Sequence, residues 1–245
     1  MPDILPLRHR FGADFTDVDI AWAIHVFRSR TQVEWCLRQL RKAYKRSRVV
    51  LISDGDDDGY DDLAERFGCS LIRGEHLYRL ETAHVWVARL LQHLLAGPET
   101  YLFKIDPDTR VWRKLRSLPA FTSLFGTLET VSEGCNAEIG VPANVQGGCI
   151  GMTRDAAAAM LASRLLSKRS CGVEYRRTWA RCVDMELVVA NRRFSQDFLI
   201  SWLAHALEIP IVESAEIRSR WRRVVDNPSK RYAITHPHKL GRARR

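Results

Sequence analysis

Four short apolar runs, each separated from the next by a stretch of helical periodicity, limit the folds open to this chain. Ile20 to Phe27 is nearly all apolar, as a strand buried on both faces is. Val49 to Ser53, Cys69 to Ile72 and Tyr101 to Ile105 repeat the pattern. Between the first two runs, Val33, Cys36, Leu37, Leu40 and Tyr44 share one helical face. Thr31 and Glu34 match a capping box, and Lys42, Lys45 and Arg46 place positive charge at the helix end. A shorter helix ends at Phe67, and another spans about Thr82 to Ala96 before Gly97 and Pro98 stop it. Strand and helix alternating through short links predict an α/β fold: a mostly parallel, Rossmann-like central sheet flanked by helices. Ligands of such sheets lie beyond the carboxyl ends of the strands. Three polar stretches fall on that edge: His25-Val26-Phe27-Arg28, Ser53-Asp54-Gly55 and Asp106-Pro107-Asp108.

The third stretch is the most specific. In an extended backbone, residues two apart point to one side, so Asp106 and Asp108 leave the strand together. Pro107 pushes Asp106 toward the extended region and ends the strand, because it cannot donate to a sheet ladder. Two such carboxylates can share a divalent cation, or divide a metal and a sugar hydroxyl between them. The second half of the chain is less regular. Ser123 to Glu129 reads as a strand, Gly134 to Pro142 as a loop, and Gln146 to Met152 as a glycine-rich strand. Thr153 caps an alanine-rich helix from Asp155 to about Ser167. Val183 to Ala190 is apolar and fits no element. Ser195 caps a helix through Leu207, Ile209 to Glu213 is a last short strand, and the remainder is basic and loop-like.

The formal charge of +9 draws anions: nucleotides, acidic glycans, an anionic membrane or nucleic acid. Part of it gathers in Arg218 to Arg223 and Lys239 to Arg245. No basic-aromatic RNA motif or helix-turn-helix signature is present, so no specific nucleic-acid partner is expected. The six cysteines show no CxxC and no zinc spacing and read as reduced thiols of a cytoplasmic protein. Met1 to Phe11 lacks the apolar core of a signal peptide, and residues 1–18 read as a loose N-terminal segment. No run approaches membrane-spanning length, which leaves peripheral membrane contact open.

A β/α half, then Phe103-Lys104-Ile105-Asp106-Pro107-Asp108-Thr109, then a GGxxG-type strand, then an acid opening a helix, then His236-Pro237-x-Lys239: this order resembles a GT-A-type glycosyltransferase over about residues 20–240. The resemblance implies one catalytic domain over 19–245, with a nucleotide-sugar-binding half (19–110) and a smaller, irregular acceptor- and metal-binding half (111–245). It implies a nucleotide-sugar donor, most simply a UDP-sugar, and manganese, with magnesium the alternative. The acceptor is a glycan, a lipid-linked group or a protein. Asp108 and His236 would hold the metal, with His238 competing for the imidazole position. Asp106 would face sugar or ribose, and Lys239 the diphosphate. The donor set is completed by His25, Val26 and Phe27 at the base, Arg28 at base or phosphate, Asp54 at base or ribose, and Lys104 within the strand. Asp197 would be the base of an inverting transfer, although Gln196 stands where an acid is common. Asp184 and Glu186 are alternatives, and a retaining mechanism remains if none is a base. Gly147 and Gly148 would lie under acceptor or donor sugar, and Trp112 either stacks on a sugar or packs in the core.

Two other classes compete. A sugar nucleotidyltransferase of related fold would want a glycine-rich phosphate loop after the first strand, and His25 to Arg30 holds no glycine. A non-enzymatic polyanion-binding module is allowed by charge alone, and would show salt-steep binding without metal dependence.

Overall fold

The computed structural model describes residues 11–12, 14–55, 58–77, 82–129, 144–166, 196–221 and 231–237. In chain order the elements are β1 (Phe11–Gly12), β2 (Ile20–Val26), α1 (Arg30–Ala43), β3 (Arg48–Ser53), α2 (Asp61–Phe67), β4 (Ser70–Ile72), α3 (Ala83–Leu95) and β5 (Tyr101–Ile105). There follow β6 (Arg110–Val111), β7 (Leu118–Pro119), β8 (Leu124–Glu129), β9 (Asn144–Thr153), α4 (Arg154–Ala162), α5 (Gln196–Ala206), β10 (Ile211–Glu213), β11 (Ile217–Trp221) and β12 (Ile234–Pro237).

Seven strands form the central sheet in the order β10-β8-β9-β5-β2-β3-β4. The neighbours β5, β2, β3 and β4 are mutually parallel, and β9 runs against both β5 and β8. The chain steps outward from β2 to β3 and β4, then crosses back to place β5 on the other side of β2. This reversal is the switch point at which open α/β sheets bind ligands. Val26 and Ile105 end the two strands that flank it.

Alternation along each strand divides the core between two faces. Ala21, Ala23, Val50 and Leu102 pack under α3, α4 and α5 with Trp86, Leu90, Met160 and Leu203. Ile20, Trp22, Ile24 and Phe103 pack on the other face with Leu37 and Leu40 of α1 and Leu63 of α2. Trp22 and Phe103 stack at 4.4 Å between ring centroids. Both are fully buried, and truncating either to alanine should cost about 3–5 kcal/mol.

Several local expectations are revised. The capping box at Thr31 does not form, because α1 starts two residues earlier, behind Ser29, and the Glu34 carboxylate is taken by Arg38 and Arg66. α4 ends at Ala162, well short of Ser167, where Ser163 turns extended. Its N-cap is as expected: the Thr153 hydroxyl accepts from the Ala156 N–H. The N-terminal stretch is not uniformly loose: β1 pairs with β7, and Thr16 and Asp19 close a capping box on the turn before β2. Among the described residues after β10, the expected basic loop includes two strands. β11, β12 and β6 form a second sheet, with β12 parallel to β11 and antiparallel to β6. Ile217 and Ile234 bury that sheet against the face carrying α1. Among the described residues, Cys36, Cys69 and Cys149 are free thiols. No helix among them is long and apolar enough to cross a membrane.

Candidate active site

The acid pair does not lie along an extended strand. Asp106 to Thr109 is a turn with Pro107 at its second position, closed by the Thr109 N–H donating to the Asp106 carbonyl at 3.0 Å. β9 fixes this turn from the side. The Gly148 carbonyl accepts from the Asp106 N–H at 3.2 Å and from the Thr109 hydroxyl at 2.5 Å. Thr109 is fully buried, and sequence reasoning missed its part in holding the acids.

β12 delivers His236 to the turn from 128 residues away. The Trp112 N–H donates to the Ala233 carbonyl at 2.8 Å, and its indole Nε1–H donates to Thr235 Oγ1 at 2.9 Å, so the residues after the turn clamp the strand that carries the histidine. Trp112 itself is about one-third exposed. Neighbouring residues of a strand face opposite sides. Thr235 therefore faces Trp112, while His236 faces the acids. Its Nε2 lies 2.9 Å from Asp108 Oδ1 and 3.3 Å from Asp106 Oδ2. Burial alone would lower the imidazole's pKa. The hydrogen bonds and charges of Asp106 and Asp108 reverse this and raise it to about 9. Burial would likewise raise the Asp106 carboxyl, but Lys104 and His236 hold it well below the usual carboxylate range.

One ligand atom from each of Asp106, Asp108 and His236 lies within 4.8 Å of the others, so the three can hold a metal ion. The donor set fits such an ion: two carboxylate oxygens and an imidazole nitrogen converge on one place, where His236 Nε2 lies between the acids and its raised pKa favours a proton there. A metal taking that place releases the proton. His238 and Lys239 lie outside the described residues, as do Asp184, Glu186 and Ser195.

Asp197 sits in the first turn of α5, buried, with its Oδ1 2.9 Å from Lys104 Nζ. The same Nζ donates to Asp106 Oδ1 at 2.7 Å and to the Gly147 carbonyl at 2.6 Å. Lys104 is fully buried, and these are among the contacts its ammonium makes. The paired glycines also acquire a role. A Cβ on Gly147 would overlap the Asp197 carboxylate, and one on Gly148 would overlap the His236 ring. Two adjacent absent side chains make room for two candidate functional side chains on opposite sides of β9.

At the ends of β2 and β3 the expected donor residues separate by exposure. Phe27 is 41% exposed, with the Arg28 guanidinium 4.9 Å from its ring centroid. Arg28 takes a left-handed backbone, φ 49°, at the end of the strand. Val26 and Asp54 are buried. The Val26 carbonyl accepts from the Asp54 N–H at 3.1 Å, and Asp54 Oδ1 accepts from the Leu77 N–H at 2.6 Å. They build the wall of the edge. His76 Nδ1 lies 2.5 Å from Asp54 Oδ2, and the His76 ring stacks on Phe27 at 5.3 Å. His76 was missed; it belongs to an aperiodic stretch that carries no sequence signal. His25 packs edge-on against Trp86 and lies 3.8 Å from Asp54. Burial, then the Lys104 charge, lower its pKa to about 4.

No protein-family model and no curated protein matches the sequence. Solved structures do match. The galactosyltransferase LgtC, in complex with donor and acceptor sugar analogues, superposes with a TM-score of 0.55 at 11% identity, over 90% of this chain and 87% of that one. An active-site mutant of LgtC gives a TM-score of 0.54, again at 11% identity, over 89% and 86%. The chain therefore has the glycosyltransferase fold that its motifs resemble, a GT-A-like mixed sheet flanked by helices.

Proposed function

We infer that the protein is a metal-dependent glycosyltransferase that moves a sugar from a nucleoside-diphosphate sugar to a hydroxyl acceptor. The observation that carries this reading is the convergence of Asp106, Asp108 and His236 at the switch point of a glycosyltransferase-type sheet. The donor is a UDP-sugar and the acceptor a glycan, a lipid-linked group or a protein, handled by a cytoplasmic enzyme. Asp108 and His236 would hold the ion, with Asp106 shared between it and the donor. An imidazole among the ligands favours manganese over magnesium. When bound, the ion supplies positive charge for the diphosphate that the broken sugar–phosphate bond leaves behind.

The chain's own residues do the rest. Phe27, stacked on His76 and exposed beyond β2, offers a face to the base, and Arg28 offers its charge to the phosphates. His25 lies in the wall behind them, and Lys239, three residues after His236 in sequence, would meet the diphosphate. Asp197 accepts the acceptor's proton as its hydroxyl attacks the anomeric carbon from the side opposite the leaving group. Gly147 seats Asp197 there, beside the acceptor.

Calorimetric titration with a panel of nucleoside diphosphates, with and without manganese, tests the reading. One of them, uridine diphosphate, should bind only with the ion, and Asp108→Ala should lose that binding. Absence of metal-dependent binding across the panel would overturn the proposal. At saturating manganese, Asp197→Asn should abolish transfer and leave donor binding intact; an unchanged rate removes it as the base.

A further inference from the structure

Lys104 has no part in the transfer steps above, yet it is fully buried beside them. A buried ammonium is costly unless it is paired. An apolar side chain would fill this place in β5 at less cost, as Leu102 does two residues earlier. The pairing explains the choice. One Nζ meets three elements: Asp106 of the turn after β5 at 2.7 Å, Asp197 of α5 at 2.9 Å, and the Gly147 carbonyl of β9 at 2.6 Å. Asp106 is shared in turn. Its Oδ1 faces Lys104 and its Oδ2 faces His236 across 3.3 Å.

We propose that Lys104 is a positioning residue, a built-in counter-cation that fixes Asp197 beside the acid pair and moderates the pull of Asp106 on a divalent ion. This rests on the glycosyltransferase reading. The charge balance makes it specific. Asp106, Asp108 and Asp197 carry three negative charges and Lys104 returns one. With His236 neutral, the cluster holds a net charge of −2, which one divalent ion cancels. Remove Lys104 and the cluster attracts the ion more strongly, while Asp197 loses its anchor. Remove the charge of Asp197 and Lys104 turns wholly on Asp106, so the ion is held less well. Remove both and the balance returns.

The test is a double-mutant cycle on the full chain, with manganese affinity read by calorimetry in the absence of donor and folding checked by circular dichroism. Lys104→Met should bind manganese about tenfold more tightly and Asp197→Asn about tenfold more weakly, as expected for one charge removed close to the ion in a partly buried site. Lys104→Met/Asp197→Asn should return to within about threefold of the wild type, since the two changes cancel in charge. In transfer assays Lys104→Met should lose at least about a hundredfold in kcat with the donor KM little changed, the mark of a group that acts on the reacting geometry. A residue that merely supports the fold would weaken metal binding and transfer together. Weaker or unchanged manganese binding in a folded Lys104→Met, or an unchanged kcat, overturns the proposal. Where that variant does not fold, Asp197→Asn and the double variant carry the test: equal affinities in those two overturn it. A wild-type chain that takes up no manganese removes the glycosyltransferase reading together with this inference, whereas the wrong signs in a chain that does bind remove this inference alone.

Discussion

Replacing Gly148 with alanine separates the two duties of one residue. Its carbonyl holds the acid turn through the Asp106 N–H and the Thr109 hydroxyl, and that stays in place. A Cβ, however, would overlap Cγ, Nδ1 and Cδ2 of His236. The ring has to leave the acids, while the turn keeps its hydrogen bonds. The magnitude follows from the proton that His236 holds. Its pKa rises from 6.5 to about 9 on folding. A value raised in the folded state stabilises the fold fully below about pH 6.5, and the contribution is lost as pH climbs through about 9. At about 1.4 kcal/mol per unit, that is about 3 kcal/mol. In chelator, Gly148→Ala should therefore cost about 3 kcal/mol more at pH 6 than at pH 10. A pH-independent loss of about 1–3 kcal/mol from overpacking is added at both. Urea unfolding of wild type and variant at the two pH values measures the difference directly. Manganese affinity, measured separately, should fall about 10–100-fold as one of three ligands departs. Gly147→Ala is the control, because its Cβ meets Asp197 and not His236; it should keep the pH-dependent part. A Gly148→Ala loss of equal size at both pH values, with manganese affinity unchanged, would refute the reasoning.

Phe27→Ala should leave the urea midpoint within experimental error, since the ring is 41% exposed, and weaken nucleoside-diphosphate binding about tenfold by removing a stacking face; unaltered binding takes Phe27 out of the donor site. His25 behaves oppositely to His236. Its folded pKa of about 4 lies below the unfolded 6.5, so stability is lost as pH falls from about 6.5 to 4, by about 3 kcal/mol in all. His25→Gln cannot take up that proton, and its acid-unfolding midpoint should move to lower pH; superimposable acid curves would contradict the assignment. Trp112→Phe removes the indole donor to Thr235 and should cost about 1 kcal/mol, lowering Tm by about 2–4 °C. Because that bond clamps β12, manganese affinity should weaken a few-fold as well, and a stability loss with no change in affinity would show that the clamp does not position His236.

The strand edge was legible because burial on both faces leaves an unmistakable apolar run. β2, β3 and β5 each announce themselves in this way, and the polar residues just beyond them mark the edge that faces a ligand. The acid pair and His236 could be named for their chemistry, but the means of uniting them could not. β6 has two residues and β12 four, too few for a period to show. β11 carries Arg218 between its inward positions, so a basic loop is the simpler reading of the sequence; the alternation of Ile217 and Ser219, both buried, is the signal that was there. A lysine beside two acids at a strand end suggests an anion contact, and its pairing with Asp197, brought in by α5, is visible only in the structure. The glycines are similar: the sequence suggests room for a sugar, and the structure adds that a Cβ at either position would meet the chain's own Asp197 or His236.

The division between fold and site also accounts for an identity of 11% over 90% of the chain. The sheet asks only that apolar side chains of suitable size recur at strand and helix periods, a demand that many unrelated sequences meet. Trp22 on Phe103 is one of many fillings for that core. The site asks for much more from far fewer positions: a turn that brings two acids together, a carbonyl to hold it, two gaps in β9, and a histidine returned by a second sheet. Changing a core residue is absorbed by its neighbours as a graded loss of stability. Changing Gly148 removes His236, which removes the bridge between Asp106 and Asp108 and leaves Asp106, among the described residues, to Lys104. Loss at the site is thus cooperative where loss in the core is graded. For a sequence this far from its structural neighbours, those few coupled positions are better guides to activity than similarity along the remainder of the chain.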